Sequence, residues 1–536
     1  MLRSRNLKVQ RAGRVLGWIV LGMSGAALVG CWDAYGELYL PLTAATLGTG
    51  GSASSSSSSS GSGGTGGTPI DCIPSEVPKA TVDASCGVFV SSSLGVDDQA
   101  ADRGGKTKPF KSIGAALMKV GVERLYVCAE SFSEAVVVSS AVELYGAVDC
   151  LKSWAYDPSK KTTLTALADA VPLTISGDAK IEDFAITAVD AKTDGGSSIA
   201  VIADQVIASF ARCDLVAGAG KAGLAGATPT DPVGPNDSSD VAIKGNDGKN
   251  ACMDPSKQFG GDVKENALCP LASGGPLGGS GGQGAVTNGS SGDSQPTATT
   301  QTALGGQGEP AADPLWSCVV GQGAIGGSGI PGTSGDGATG ALSLGTLDTS
   351  GYTGAPGQPG GLAPPGQGGG GGGGAKGKPS CAGASGGGGG AGGCGGKGGL
   401  GGNAGGASIA LVSLKAMLSF EKVTIKAGVG GDGGNGGDGQ GGGVGGKGGT
   451  GGKGDVTPPA TLKACDGGAG GQGGTGGKGG GGRGGHAIGI AYTGAAMPLI
   501  KGATFTKGTP GKGGTGAADM THDGDSGVQV NVQAFQ

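Results

Sequence analysis

Short apolar segments recur along the first half of the chain, and each is bounded by turn residues. Residues 88–90, 125–127, 134–138 and 142–146 are rich in β-branched and aromatic residues, and similar runs continue through 171–187 and 199–216. Segments of this length and composition predict β-strands. The hydrophobic pattern therefore predicts an all-β fold.

One segment has the spacing of a helix instead. Apolar residues recur there at i, i+3, i+4 and i+7, as Ile113, Ala116, Leu117 and Val120. This spacing is typical of an amphipathic helix with one apolar face. Ser112 is suited to cap its N-terminus, and Gly121 is suited to end it. A single apolar face predicts that the helix covers another part of the molecule.

Two stretches 210 residues apart have nearly the same sequence. The stretch from Ser198 through Phe210 matches the stretch from Ser408 through Phe420 without a gap, and a looser third copy includes Ile488 and Phe505. One such unit cannot bury its inward residues alone, whereas stacked units form a continuous core. We therefore expect a stacked, repetitive β architecture with Phe210 and Phe420 in its core. Separate small units are the less favoured alternative, because each copy is too short to bury a core.

Each copy leads into a glycine-rich segment, and glycine supplies 127 of the 536 residues. Residues 428–454 and 466–485 consist largely of Gly-Gly-X triplets, where X includes Asp432, Asn435 and Lys447. A three-residue period fits a polyproline-II-like screw, and several such strands would bond side by side where glycine permits close approach. Glycine loses the most entropy on ordering, so a solvated loop fits the same composition. The sequence leaves both alternatives open.

The part of the chain around the predicted helix resembles a known superfamily. The order Lys-Pro-Phe-Lys-Ser-Ile-Gly-Ala-Ala-Leu, Ser-Phe-Ser-Glu-Ala-Val-Val-Val and Val-Glu-Leu-Tyr-Gly between residues 108 and 146 is similar to the opening of pectin-lyase-like proteins. The resemblance covers residues 86–217 and then only the repeat copies. It implies a right-handed parallel β-helix (solenoid) with an N-terminal capping helix and long glycine-rich, irregular loop insertions. The triplets also resemble the glycine-rich regions of PGRS-type surface proteins in composition.

The N-terminus is expected to be a targeting segment. Five basic residues and no acid precede an apolar run of signal-peptide length, which ends in Leu28, Val29, Gly30 and Cys31. This ending resembles the lipobox of bacterial lipoproteins, which implies that Cys31 is acylated and becomes the new N-terminus. The acyl chains are then the expected anchor, because no other segment has 18 consecutive apolar residues. An ordinary signal peptide with an accidental cysteine is the alternative.

These features predict an order of segments along the chain. It is a signal peptide (1–30), a lipidated N-terminus with a Ser/Gly-rich tether (31–68), β-helix coils with the capping helix (69–217), a glycine-rich insert (218–406), one coil (407–427), a Gly-Gly-X insert (428–486), one coil (487–507), and a glycine-rich loop with the last strand (508–536).

The charge of the chain disfavours two classes of partner. The formal net charge is −5, and removal of residues 1–30 with their five basic residues makes it −10. Nucleic acid and anionic membrane surfaces both require clustered Lys and Arg, so neither is expected to bind.

Eleven cysteines remain after Cys31, and export permits disulfides. No two of them form a Cys-x-x-Cys pair, so zinc is not expected. An odd total leaves at least one thiol free or intermolecular. The expected pairs are Cys128 with Cys150, separated by close to one coil, and the local pairs Cys72 with Cys86, Cys252 with Cys269, and Cys381 with Cys394.

Candidate catalytic residues are few. A lyase of the resembled superfamily needs acidic calcium ligands and an Arg base on one face, and the residues that fit are Asp183, Asp204, Arg212 and Asp214. Outward residues of a solenoid are commonly charged, so a solvated face is the simpler interpretation. The two histidines, His486 and His522, lie far apart in sequence, and His486 is expected to be structural.

The sequence favours a non-enzymatic, lipid-anchored cell-envelope or surface protein that displays glycine-rich loops on a β-solenoid for adhesion or matrix contact. The outer membrane is the expected location, with its surface and periplasmic faces both open. No metal or cofactor is expected. The expected partners are the membrane, through the acyl chains, and extracellular polysaccharide or matrix. The alternatives are a polysaccharide lyase or glycan-binding protein of the pectin-lyase-like superfamily, and a calcium-responsive surface module.

Overall fold

The computed structural model describes residues 72–76, 81–98, 102–269, 276–295, 302–319, 324–494, 496–517 and 520–536. Up to residue 217 the elements are β1 (Val88–Val90), α1 (Ile113–Leu117), β2 (Arg124–Cys128), β3 (Ser131–Ser133), β4 (Val136–Val138), β5 (Val142–Asp149), a 3-10 helix (Cys150–Lys152), β6 (Ala155–Tyr156), β7 (Thr162–Thr165), β8 (Leu173–Ile175), β9 (Ala179–Glu182), β10 (Phe184–Thr187), β11 (Ser198–Asp204), β12 (Ile207–Ala211) and β13 (Asp214–Val216).

The remaining elements alternate with the glycine-rich segments. They are β14 (Lys257–Gln258), β15 (Lys264–Glu265), β16 (Leu277–Gly278), β17 (Gly284–Ala285), β18 (Thr346–Asp348), β19 (Gly351–Thr353), β20 (Ser408–Leu414), β21 (Met417–Glu421), β22 (Val423–Lys426), β23 (Ala487–Thr493), β24 (Ala503–Thr506), a 3-10 helix (Met520–His522) and β25 (Gln529–Phe535).

Most of these strands lie in three parallel sheets. The first sheet has the order β1-β2-β5-β9-β12-β21, with β6 added antiparallel to β5. The second has the order β3-β7-β10-β13-β22-β24, and the third has the order β4-β8-β11-β20-β23-β25. The chain enters the first, second and third sheets in turn and then returns to the first, and we call each such passage a circuit. The prediction of an all-β fold with stacked strands is confirmed.

The internal repeat sets the register between circuits. Ser198 pairs with Ser408 in the third sheet, and Phe210 pairs with Phe420 in the first. The two phenylalanine rings stack with their centroids 6.0 Å apart, and both are buried. Residues of the two copies that are 210 positions apart in the sequence therefore pair on adjacent strands of the fold.

The third copy of the repeat adds strands to only two sheets. Ile488 pairs with Ile409 in the third sheet, and Phe505 pairs with Ile425 in the second. Residues 496–502 add no strand to the first sheet, which ends at β21.

One apolar core draws its residues from all three sheets. Alternate residues of β12 and β21 are buried, including Ala208, Phe210 and Leu418. Helix α1 adds Ile113 and Ala116 to this core and packs against β1 and β4, at the N-terminal end of the stack.

Helix α1 begins where the sequence predicts. The Ser112 hydroxyl accepts a hydrogen bond from the Ala115 N–H at 3.2 Å, as expected of an N-cap. The Glu134 carboxylate accepts bonds from the N–H groups of Ile113 (2.8 Å) and Gly114 (3.0 Å). The helix ends at Leu117, earlier than the predicted stop at Gly121.

Sharp corners join the sheets within a circuit. Asp183, Arg212 and Lys422 follow strands of the first sheet, and their φ angles are +61°, +54° and +52°. This left-handed conformation is uncommon for residues other than glycine. In the last copy the corresponding position is Gly502, with φ +88°. The corners turn the chain quickly enough for circuits to stack strand on strand.

The long glycine-rich segments all leave the stack at one edge. Residues 217–407 connect β13 to β20, 427–486 connect β22 to β23, and 507–528 connect β24 to β25. In every case the chain departs from the second sheet and returns to the third. Because the circuits are stacked, the glycine-rich segments begin and end next to one another.

Candidate functional site

The glycine-rich segments form extended rods joined by hydrogen bonds at every third residue. We name residues 357–375 rod 1, 384–406 rod 2, 428–454 rod 3 and 465–485 rod 4. Antiparallel bonds join rods 2 and 3, for example from the N–H of Gly434 to the carbonyl of Asn403 at 2.8 Å and from Gly437 to Leu400 at 2.8 Å. Parallel bonds join rods 2 and 4, as from Gly399 to Gly477 at 2.9 Å.

The rods, together with the described segments of the three inserts that bond to them, form what we call the glycine bundle. Its three-residue period is that of a polyproline-II-like screw, which has no internal hydrogen bonds and must bond to its neighbours. The expectation of irregular loop insertions is therefore wrong, and the alternative of side-by-side strands is the one the structure adopts. Bonds to several neighbouring rods offset the entropy that glycine loses on ordering.

Glycine is required in the rods for close approach and not for backbone angle. No glycine of rods 1 to 4 has a left-handed φ. A Cβ added to Gly390 would come within 3.0 Å of the carbonyl oxygen of Gly446 on rod 3, and one added to Gly434 would meet that of Leu224. Any side chain at these positions would push neighbouring rods apart.

Residue X is exposed in most triplets of rods 3 and 4, as at Asp432, Lys447 and Thr475. Some X side chains also satisfy backbone N–H groups of the third insert, residues 507–528. The Asp432 carboxylate accepts from the Lys512 N–H at 2.7 Å, and the Asn435 carbonyl accepts from the Thr515 N–H at 2.8 Å. Asp and Asn at position X thus supply acceptors for N–H groups that no glycine carbonyl reaches.

Runs of glycine without X lie in the interior of the bundle. Residues 369–374 and 386–390 are buried throughout. In rod 1, the successive N–H groups of Gly369, Gly370 and Gly371 donate to Gly390, Gly327 and Asp293, on three different neighbours. The length of a glycine run therefore indicates how many sides of a rod are covered.

The disulfides differ between the sheets and the bundle. Near the first sheet, Cys72 pairs with Cys86 and Cys128 pairs with Cys150, which are the expected pairs. In the bundle the expected local pairs are wrong. The bonds there join Cys252 to Cys381, Cys269 to Cys394, and Cys318 to Cys465, across separations of 125 to 147 residues.

Extended rods explain this long-range pairing. The N–H of Cys252 donates to the Ala382 carbonyl at 2.9 Å, so that Cys252 lies beside Cys381 on a neighbouring segment. Residues near in sequence along a rod are far apart in space, because each residue of such a screw advances the chain by about 3.1 Å. Cys213 is the free cysteine of the described residues; it is fully buried in the core, and burial raises its pKa to about 12.

One group of side chains in the bundle has the composition of a metal site. It consists of Cys252, Cys381 and Asp455. The two cysteines are bonded to each other, so neither offers a thiolate. The Asp455 carboxylate binds the Lys378 ammonium at 2.5 Å, which together with a backbone bond from Thr457 lowers its pKa to about 2. The group is a structural ion pair beside a disulfide.

The four lyase candidates do not converge. Asp183 and Arg212 meet at the corner after the first sheet, where the Arg212 Nε donates to Asp183 Oδ1 at 2.9 Å. Asp214 instead pairs with Lys161 at 2.7 Å. Asp204 lies at the end of β11 in the third sheet, and its carboxylate accepts a long bond, 3.4 Å, from the neighbouring Gln205.

The state of Arg212 is unsuited to a catalytic base. Its guanidinium also binds Glu182, at 2.5 Å, a partner that sequence reasoning missed. Burial acts to lower the pKa of Arg212, but the bonds and charges of Asp183 and Glu182 outweigh it and raise the pKa above its usual value. A base needs a lowered pKa, so this cluster acts as a buried ion-pair network at a corner.

His486 holds an outer layer on the third sheet. Its Nδ1 accepts from the Val528 N–H at 3.0 Å, which leaves Nε2 to donate to the Leu344 carbonyl at 2.8 Å. The ring packs edge-on against Tyr352 and Phe535. Burial lowers its pKa to about 4. The histidine therefore has the structural role expected of it.

The segment that His486 contacts on the third sheet includes a β-hairpin, which no sequence pattern indicated. It consists of β18 and β19, paired antiparallel within the first glycine-rich insert. Leu344, Leu347 and Tyr352 of this region pack on the outer face of the third sheet. An insert thus covers one face of the stack.

No protein family, curated protein or solved structure was found to match this chain. The residues around Cys31 lie outside the described part of the chain, as does the tether. Within the described residues, no helix has the length and apolar character needed to cross a membrane.

Proposed function

We propose that this protein is a non-enzymatic, lipid-anchored protein of the bacterial envelope that displays the glycine bundle outside the membrane. The three parallel sheets would form a right-handed parallel β-helix, and the bundle would be its functional surface, used for adhesion or matrix contact. Cys31 would carry the acyl chains, and residues 31–68 would hold the folded part away from the membrane.

The observation that carries this proposal is the common exit of all long inserts from one edge of the stack. Three separate inserts build one ordered body, and its exposed positions are the repeated X residues, such as Asp438, Thr450 and Lys453. Among the described residues, the candidate catalytic groups do not converge: Asp183 and Arg212 pair with each other at a corner, and Asp214 pairs with Lys161. An ordered, repetitive surface with polar side chains is suited to contact with an extended partner.

Amine labelling of intact cells tests the display of the bundle. Lys447, Lys453 and Lys512 are exposed on it, so a membrane-impermeant amine reagent should modify them without lysis. The modified peptides would be identified by mass spectrometry, with a periplasmic marker protein as the control for leakage. Labelling that appears only after lysis would contradict surface display and leave a periplasmic role.

Acylation is tested separately with the variant Cys31→Ala. The unaltered chain should incorporate an alkyne fatty acid and sediment with membranes, whereas the variant should do neither. A variant that still sediments and still carries the label would contradict the lipobox. Because amine labelling and acylation are independent measurements, failure of the anchor and failure of surface display can be told apart.

A further inference from the structure

The two ends of the sheet stack are finished differently. Helix α1 covers the N-terminal end with the buried residues Ile113 and Ala116. At the other end, β21, β24 and β25 are the last strands of their sheets. Phe505 and Val532 on these strands are only partly buried against the core. This end therefore has open strand edges and an incomplete apolar cover.

A buried polar group at the same end also lacks a partner. The Oδ1 atom of Asn531, on β25, is buried and accepts no hydrogen bond from the described residues. Such an acceptor costs about 1–3 kcal/mol when it is left without a donor. The end of the stack thus has the features of a surface that another segment completes.

Lysines surround the open edge of the second sheet. Lys501 and Lys507 flank β24, and Lys422 and Lys426 lie at the two ends of the adjacent strand β22. All four are exposed. Of these, only Lys422 has an ion pair within the described part of the chain, with Glu421 at 3.7 Å. Acceptors for the other three charges must come from solvent or from a partner.

The charge at this end differs in sign from that of the rest of the stack. Residues 407–427 and 487–507 contain five lysines and one acid, a net charge of +4. Residues 72–217 contain 13 basic and 19 acidic residues, a net charge of −6. A ligand attracted to the last circuits is therefore negatively charged.

We propose that β24 is a docking edge for an extended, acidic polypeptide segment of a partner protein, which adds as a further strand to the second sheet. Strand addition gains affinity from main-chain hydrogen bonds and specificity from alternate side chains. Lys501 and Lys507 are six residues apart, so the partner carries acidic residues about six positions apart, which spans roughly 20 Å of strand. Apolar side chains between them cover Phe505.

Two features favour this partner over others. A second copy of this chain would bring its own lysines against Lys501 and Lys507, and edge lysines are a known device against such self-pairing. An anionic polysaccharide would satisfy the lysines but not the backbone groups of the last strand. An acidic polypeptide satisfies both.

Peptide binding to the full chain tests the proposal. The probe is a fluorescent peptide of sequence Asp-Thr-Val-Thr-Val-Thr-Asp, and anisotropy measures its affinity. Binding should be at least tenfold weaker for the same peptide with proline at its central position, because proline removes a main-chain donor. It should be at least tenfold weaker when lysine replaces both acidic residues.

Protein variants locate the site. The double variant Lys501→Glu with Lys507→Glu should lose binding at least tenfold. The double variant Lys111→Glu with Lys192→Glu makes the same change of charge at exposed positions outside the last circuits and should bind within twofold of the unaltered chain. Circular dichroism and melting temperature would verify that both variants are folded. Amide exchange at residues 503–507 should slow when the peptide binds.

Several outcomes would overturn the proposal. Equal loss in both double variants would show only general charge attraction. Equal binding of the proline peptide would exclude strand addition, as would unchanged exchange at residues 503–507. Binding of polygalacturonate that depends on Lys501 and Lys507, without binding of the peptide, would assign the edge to a polysaccharide. Absence of peptide binding at millimolar concentration would reject the docking edge.

Discussion

The same circuits of the chain run through the three sheets and the glycine bundle, but the two regions bury different groups. In the sheets, apolar side chains such as Phe210 and Phe420 lie in register and make a core. In the bundle, the interior consists of backbone, as in residues 386–390. Apolar burial stabilises by about 25 cal/mol per Å² of buried surface, whereas one hydrogen bond contributes only about 1 kcal/mol net. A stacked fold therefore extends beyond its apolar core when neighbouring segments satisfy each other's backbone.

The stability of the glycine bundle should depend more on disulfide bonds than the stability of the sheets does. Replacing both Cys318 and Cys465 by alanine opens a loop of 147 residues, and the chain-entropy relation gives a loss of about 5 kcal/mol. Amide exchange measured by mass spectrometry should show faster exchange in rods 2 and 4 but unchanged exchange in β11 and β12. Equal acceleration in both regions would show that they unfold as one unit.

The sheets should depend on their stacked aromatic side chains. Phe210→Ala leaves a cavity beside Phe420, and such truncations cost about 3–5 kcal/mol. Denaturant unfolding would measure this loss, and Ile207→Ala, at a position 57% exposed on the same strand, is the matched control. If the control cost as much as Phe210→Ala, the core would not lie where the alternation of β12 places it.

Acid should loosen the contact between the sheets and the insert that covers them. Burial lowers the pKa of His486 to about 4, so the folded state holds the imidazole neutral. The stabilisation is fully present above the unfolded pKa of about 6.5 and is lost as the pH falls from there to about 4, by about 3 kcal/mol in total. The groups that face the ring include Arg483, whose positive charge opposes protonation, and Arg483 in turn binds Asp525 at 3.1 Å.

The variant His486→Gln provides the control for this pH dependence. Thermal melts between pH 7 and pH 4 should show a steeper fall in stability for the unaltered chain than for the variant. Exchange in β18 and β19 should increase first, because Nε2 of His486 bonds to Leu344 just before β18. Identical slopes for the two proteins would remove His486 from the explanation.

A single methyl group should distinguish interior from exterior positions of the rods. Gly390→Ala forces a Cβ toward the Gly446 carbonyl, and overpacking of this kind costs about 1–3 kcal/mol. Thr475→Ala alters an exposed X residue of rod 4 and should change stability by less than about 0.5 kcal/mol. Equal effects at the two positions would contradict the assignment of sides to the triplet.

The sequence predicted those parts of the fold in which side chains carry the pattern. The gap-free match from Ser198 to Ser408 gave the register of the third sheet, because identical inward residues stack on each other. The spacing from Ser112 to Leu117 gave the capping helix in the same way. Both features are local or repetitive, and both can be recognised in one dimension.

The sequence allowed bonded rods as one of two alternatives, but it could not assign the neighbours of each rod, and the reason is physical. Its rods are held by backbone bonds, and glycine carries no side chain that would mark which rod is its neighbour. The pairing of Cys252 with Cys381 depends on that neighbourhood, so the local pairing with Cys269 was the simpler but wrong expectation. The burial of residues 386–390 did have a signal, since an uninterrupted glycine run leaves no X residue to face solvent.

The three-residue period of the triplets fixes the unit by which the rods can be lengthened. Adding three residues at the far end of rod 3 and three at the far end of rod 4 would lengthen each rod by one triplet, about 9 Å. Every glycine would then keep its contacts with the neighbouring rod. Adding one or two residues within a rod would shift the triplet register beyond the insertion, so that X side chains would face the packed interior. The distance that the glycine bundle extends from the sheets can therefore change only in increments of one triplet, and the sheets need not change when a triplet is added.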